Sequence, residues 1–129
     1  MTTMLAYDVD RRERDVDLER RRELRIFLRE HRSRVTPVDV GLPRTGRRQV
    51  PGLRRGEVAE VIGVTTDWYR AFESGRPVRV SPQFVSRLAR ALNLTRAQEL
   101  TLFRLAFVEM YHLLVGFPLN QIGGKHVGS

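Results

Sequence analysis

The sequence predicts an all-α fold of five helices, with a long first helix and a long C-terminal fifth helix. Three observations carry that expectation. Apolar residues recur at helical spacings of three and four, small polar residues stand where those stripes begin, and glycine or asparagine stands where several of them end.

The first helix covers Asp8 to Arg32, where Leu24, Phe27, Leu28 and His31 follow i, i+3, i+4, i+7. Its N-terminal half, DVDRRERDVDLERRR, has too few apolar residues to dock well. It reads as a solvated helical extension supported by weak charge pairs, or as a frayed end. Residues 35 to 52, VTPVDVGLPRTGRRQVPG, hold three prolines and three glycines and form a connecting loop in which Thr36-Pro37 can cap a single helical turn.

The second and third helices lie in 53–76, LRRGEVAEVIGVTTDWYRAFESGR. Leu53, Val58, Ala59 and Ile62 keep helical spacing and stop at Gly63, which can take the positive φ that closes a helix without a Cβ clash. Thr65 then serves as N-cap, and Asp67 complements the positive end of the helix dipole. The third helix, about 65–74, buries Tyr69 and Phe72 and exits at Ser74-Gly75. Two helices joined by a glycine turn, the second with a polar exposed start, have the geometry that places a helix in a DNA major groove.

Ser81-Pro82 starts the fourth helix, with serine as cap and proline at the first helical position. Its stripe of Phe84, Val85, Leu88, Ala89 and Leu92 stops at Asn93, which tolerates a left-handed exit. Thr95 with Gln98 makes a capping box for the fifth helix, expected to run to about Val115 before Gly116 and Pro118. The chain thus divides into a charged extension at 1–17, a DNA-binding domain at 18–94, a C-terminal helix at 95–115 and a tail at 116–129.

Composition narrows the function classes. At 129 residues and 41% hydrophobic content, one small core is expected. Without cysteine there is neither a disulfide framework nor a thiolate zinc site, and His31, His112 and His126 have no metal-ligand spacing. No metal and no cofactor are therefore expected. No run approaches the ~20 apolar residues of a membrane-spanning helix, so the expectation is a cytoplasmic protein without a membrane partner. No set of His, Asp, Glu and Ser forms a catalytic constellation, which argues against an enzyme.

The net charge of +8 is unevenly placed. Residues 1–31 hold eight arginines and eight acids; residues 32–90 hold twelve arginines and five acids, a surplus of +7; the remainder adds +1. Codon bias can explain 22 arginines against one lysine, but not where the acids are missing. A local excess of this kind is the electrostatic footprint of a polyanion partner.

The residues from Leu53 to Glu73-Ser74-Gly75-Arg76 resemble the phage-repressor-like, or Xre-type, helix-turn-helix family. VDVGLP, then GRR, then PGLRRGEVAEVIGV with Trp68-Tyr69 and the SGR turn, look like the MmyB-like regulators of actinobacteria over residues 24 to about 106. Proteins of that branch usually continue into a PAS-type ligand-binding domain, for which this chain leaves no room. The resemblance implies a repressor-like domain that binds double-stranded DNA.

By position in the motif, Thr66, Asp67, Arg70 and Ala71 form the outward face of the third helix and would meet base edges. Arg70 can bridge guanine O6 and N7, Asp67 can accept from cytosine N4, and Ala71 can meet a thymine methyl. Asp67 can equally serve the helix dipole alone. Trp68 lies between the buried and outward faces, with packing against the basic loop or a contact at the groove edge open to it. Arg54 and Arg55 read as phosphate clamps at the start of the second helix, joined by Arg76 and Arg79 after the third and by Arg44, Arg47 and Arg48 on the preceding arm. By the family pattern, Glu73 pairs with Arg32 late in the first helix.

In the fifth helix, Leu100, Phe103, Phe107, Met110 and Leu114 repeat at 3, 4, 3, 4, a coiled-coil-like seam, while Leu102, Leu105 and Ala106 form a second apolar face. One face can close the domain and the other can make a homodimer suited to two-fold operator sites, or both can wrap one small core. The leading expectation is a sequence-specific DNA-binding regulator. The competing one is a protein-interaction module, an antitoxin or adaptor, that uses the fifth helix and binds DNA only secondarily.

Overall fold

The structure, a computed structural model, describes residues 2–42 and 52–116. All regular elements among them are helical: α1 (Thr2–Arg32), a 3-10 turn at Val38–Val40, α2 (Arg55–Ile62), α3 (Thr66–Glu73), α4 (Pro82–Ala91), α5 (Arg96–Ala106) and a short α6 (Val108–Tyr111) that runs into a π-helical turn at His112–Gly116. The all-α expectation holds.

Capping explains most of these boundaries. The Thr65, Ser81 and Thr95 hydroxyls each accept a backbone N–H three residues on, from Trp68, Phe84 and Gln98. Gln98 returns the bond to the Thr95 N–H at 2.9 Å, completing its capping box. Gly63 closes α2 at φ +79°, and Asn93 takes φ +55° after α4. Thr36 and Asp39 exchange hydrogen bonds of 3.0 and 3.3 Å around the 3-10 turn, so Thr36-Pro37 does cap a single turn.

The core gathers one face from each of α1 to α5. Leu24 and Leu28 from α1 meet Leu53, Val58 and Ile62 around α2, Tyr69 and Phe72 from α3, Val85 and Leu88 from α4, and Leu102 and Leu105 from α5. Trp68 belongs to this packing. Its ring stacks on Phe72, with centroids 5.8 Å apart, and meets Phe84 edge-on at 4.8 Å.

Two expectations need correction. The fifth helix does not run unbroken to Val115, because Phe107 leaves helical geometry at φ −104°, ψ 107°. The chain bends there so that Tyr111 can be buried and donate from its hydroxyl to Glu23 on α1 at 3.0 Å, with the Arg104 guanidinium 5.5 Å from the ring centre. An unbroken helix at this point would give up that burial. Leu100, Phe103, Phe107, Met110 and Leu114 therefore do not form one continuous seam. Phe103 and Phe107 stack on each other and pack against the core, whereas Leu100, Met110 and Leu114 are exposed.

The second correction concerns the charged half of α1, which is not solvated throughout. Arg20 is 2% exposed. Its guanidinium donates to the carbonyls of Leu105 (3.0 Å) and Gly75 (2.8 Å) and to Asp17 (3.2 Å). One buried cation thus satisfies carbonyls near the ends of both α3 and α5, where helices leave acceptors unpaired. Gly75 suits this crossing because it has φ +82° and because a Cβ there would fall 2.8 Å from the Arg21 Cα.

Candidate nucleic-acid interface

Glu73 at the end of α3 organises the site. Its side chain is 1% exposed, a position an ionised carboxylate can hold only when its oxygens are fully partnered. Arg32 supplies a two-pronged contact, Nε to Oε1 at 2.7 Å and Nη2 to Oε2 at 2.9 Å, and Arg55 Nε adds a third bond to Oε2 at 2.8 Å. Burial works to raise the carboxyl, but the hydrogen bonds and charges of Arg32 and Arg55 outweigh it and hold Glu73 below the usual carboxylate range. The Tyr69 hydroxyl beside it is pushed well above its ordinary value, first by burial and then by the Glu73 charge.

Arg32 also fixes the start of the motif. Its Nη1 donates to the Leu53 carbonyl at 2.9 Å, while the Leu53 N–H donates to the Arg32 carbonyl at 2.9 Å. Helices α1, α2 and α3 are thereby pinned around one carboxylate. Two guanidinium groups against one acid leave this junction with one positive charge in excess.

Arg55 separates two basic grooves. The first, about 470 Å³, is lined by Arg25, Arg55, Asp67, Arg70, Ala71, Ser74 and Arg76, and so follows the outward face of α3. The second, about 480 Å³, is lined by Arg29, Arg32, Arg54 and Arg55 with Ser33, Gly52 and Leu53. Arg55 is held by Glu73, yet its side chain is 40% exposed and faces both.

Thr66, Asp67 and Arg70 are exposed on α3, and Ala71 is half-buried beside them. Arg70 Nη1 lies 3.4 Å from Asp67 Oδ1, a long contact on the exposed face. Arg54, Arg76 and Arg79 are exposed around the motif. At the start of α2 the Arg54 N–H donates to the Glu57 carboxylate at 2.8 Å. Arg44, Arg47 and Arg48 lie outside the described residues.

A family model described as a helix-turn-helix domain matches residues 23–102, more than half of the chain. The chain belongs to this helix-turn-helix family. The matched span covers the C-terminal part of α1 through most of α5, and so contains both grooves and the Glu73 junction of the helix-turn-helix domain. No curated protein and no solved structure matches the chain.

Two residues of α1 escaped the sequence reading. Arg25 lines the groove along α3, and Arg20 ties the ends of α3 and α5 to α1. Arg20 stands four residues before Leu24, so it prolongs the apolar stripe by one turn, a signal hidden by its charge. Among the described residues there is no group of three or more His, Cys, Asp or Glu placed to hold a metal, and no helix is long and apolar enough to cross a membrane.

Proposed function

We propose that this helix-turn-helix protein is a sequence-specific transcriptional regulator of the Xre type that inserts α3 into the major groove of double-stranded DNA. The observation that carries the reading is the groove along α3, where Arg25, Arg55, Arg70 and Arg76 converge from three helices and a loop around the exposed start of α3. Thr66, Asp67, Arg70 and Ala71 would read base edges, with Arg70 bridging a guanine. Arg54, Arg55, Arg76 and Arg79 would hold phosphates, with Arg44, Arg47 and Arg48 extending the grip along the backbone. No bond is made or broken in this activity; occupancy of a cytoplasmic operator is the output.

A homodimer on a two-fold operator belongs to the same reading. With no continuous seam available, its contact would be the exposed Met110, Leu113, Leu114 and Val115 that follow the bend. The same exposed residues favour the second reading, an adaptor or antitoxin that docks a protein partner there.

Selection of bound sites from a random double-stranded DNA pool at two salt concentrations tests the proposal. A defined motif should emerge, and a pair of half-sites one helical turn apart would identify the dimer. Binding that remains weak and uniform across all sequences refutes sequence-specific regulation and moves the weight to the C-terminal surface.

A further inference from the structure

Helix α1 holds nine arginines and eight acids, nearly balanced by count but polarised by face. Acids gather on the side turned toward the C-terminal turns. Glu23 accepts from Tyr111 and lies 3.6 Å from Arg104, and Asp15, Glu19 and Glu23 line a cleft with Arg12 and Tyr111. A different pattern runs along the side turned toward α3. There Arg21, Arg25, Arg29 and Arg32 recur at spacings of 4, 4 and 3, which stacks them along one stripe of the helix.

The two ends of this stripe have structural partners. Arg21 pairs with Asp17 at 2.9 Å and crosses over Gly75, and Arg32 is bound to Glu73. The two middle members differ. Arg25 and Arg29 are exposed, and among the described residues no carboxylate forms an ion pair with either. Arg25 opens into the groove along α3 and Arg29 into the adjacent one, so they stand on either side of Arg55. Neither is tied into the fold by an ion pair, and both extend the positive surface beyond the motif.

Resting on the DNA-binding reading, we propose that α1 is a second phosphate-gripping element, in which Arg25 and Arg29 seat phosphates of the backbone flanking the α3 site. Their Cα atoms are about 6 Å apart along the helix axis, four residues at 1.5 Å each. The two guanidinium groups thus track one strand and add affinity without reading sequence. Helix α1 then has two roles, one face closing the domain and the other enlarging the footprint on DNA.

The test compares Arg25→Gln/Arg29→Gln with Arg12→Gln/Arg96→Gln, which removes the same charge from the acidic side of α1 and from the start of α5. Binding to a pool-selected duplex and to an unselected duplex is measured across a salt series. The proposal expects the slope of log K against log salt to become shallower by about 1.8 for the Arg25/Arg29 variant on both duplexes, and to stay unchanged for the control. Glutamine keeps the helix propensity, and a melting curve matching the wild type for the same variant removes misfolding as a cause. If wild-type protein binds with the same slope as the Arg25/Arg29 variant, the role of α1 is refuted and the DNA reading stands. A wild type that binds neither duplex refutes both. Equal shallowing by both variants refutes the local grip in favour of a net-charge effect.

Discussion

Replacing Glu73 by alanine leaves two guanidinium groups without their shared acceptor, and the structure indicates how far each can recover. Arg32 is only 12% exposed; it keeps one bond, to the Leu53 carbonyl, but its other donors lose their acceptor in a largely buried position. Breaking a buried ion pair by removing one partner costs roughly 3–5 kcal/mol. Arg55, at 40% exposure, can swing into solvent and recover hydration, which places the loss near the lower end, about 3 kcal/mol. With about 4–8 °C of melting temperature for each kcal/mol in a domain of this size, the midpoint should fall by roughly 12–24 °C. Arg55→Ala leaves the two-pronged Arg32 contact intact and should cost about 1 kcal/mol. Urea unfolding followed by circular dichroism measures the two single variants and the double variant. Since the Arg55 contact runs through Glu73, the double variant should lose little more than Glu73→Ala alone. A Glu73→Ala loss below about 1 kcal/mol, or losses that add in the double variant, would refute the three-helix junction as described.

The same carboxylate sets an acid dependence. The Glu73 pKa is lowered from 4.5, so its contribution is fully present above pH 4.5 and lost as pH falls through the folded value; the difference in melting temperature between wild type and Glu73→Gln should narrow below pH 4.5, and a constant difference would contradict the lowered pKa. Arg20→Met should cost about 2–4 kcal/mol in urea unfolding, because it strands the Leu105 and Gly75 carbonyls; a near-neutral result would mean that water reaches both. On a selected DNA site, Arg70→Ala should relax preference at one base pair and cost about 1–3 kcal/mol there, whereas Arg76→Ala should weaken all sequences alike and lower the salt slope by about 1. Equal losses on every sequence for Arg70→Ala would move Arg70 to the phosphate group.

The helices were legible wherever a local rule decides them. Thr65, Ser81 and Thr95 start helices in sequence and structure alike, and Gly63 and Asn93 end them, because capping needs only residues three or four apart. The outward face of α3 followed from its buried one, since Tyr69 and Phe72 fix the rotation of the helix. What stayed hidden was long-range. Nothing near Phe107 announces a break, because its cause is a bond from Tyr111 to a residue 88 positions earlier. The burial of Arg20 was obscured in the same way, by carbonyls 55 and 85 residues away. Arg25 is an intermediate case. Its spacing with Arg21, Arg29 and Arg32 is visible in the sequence, but the face it shares with α3 emerges only when the helices are packed.

The break at Phe107 should also divide the domain kinetically. Residues 108–116 connect to α5 through one residue in extended geometry, so the backbone hydrogen-bond ladder is interrupted at that point. They are held to α1 by Tyr111, which is buried and bonded to Glu23, and by Val115, which shares a cleft with Arg12, Glu19 and Glu23. Release of these contacts with α1 would let the segment open as its own cooperative unit while α5 stays closed. In amide hydrogen exchange, the N–H groups of 111–116 should therefore exchange through an opening far smaller than global unfolding, while Leu102 and Leu105 exchange only with the whole domain.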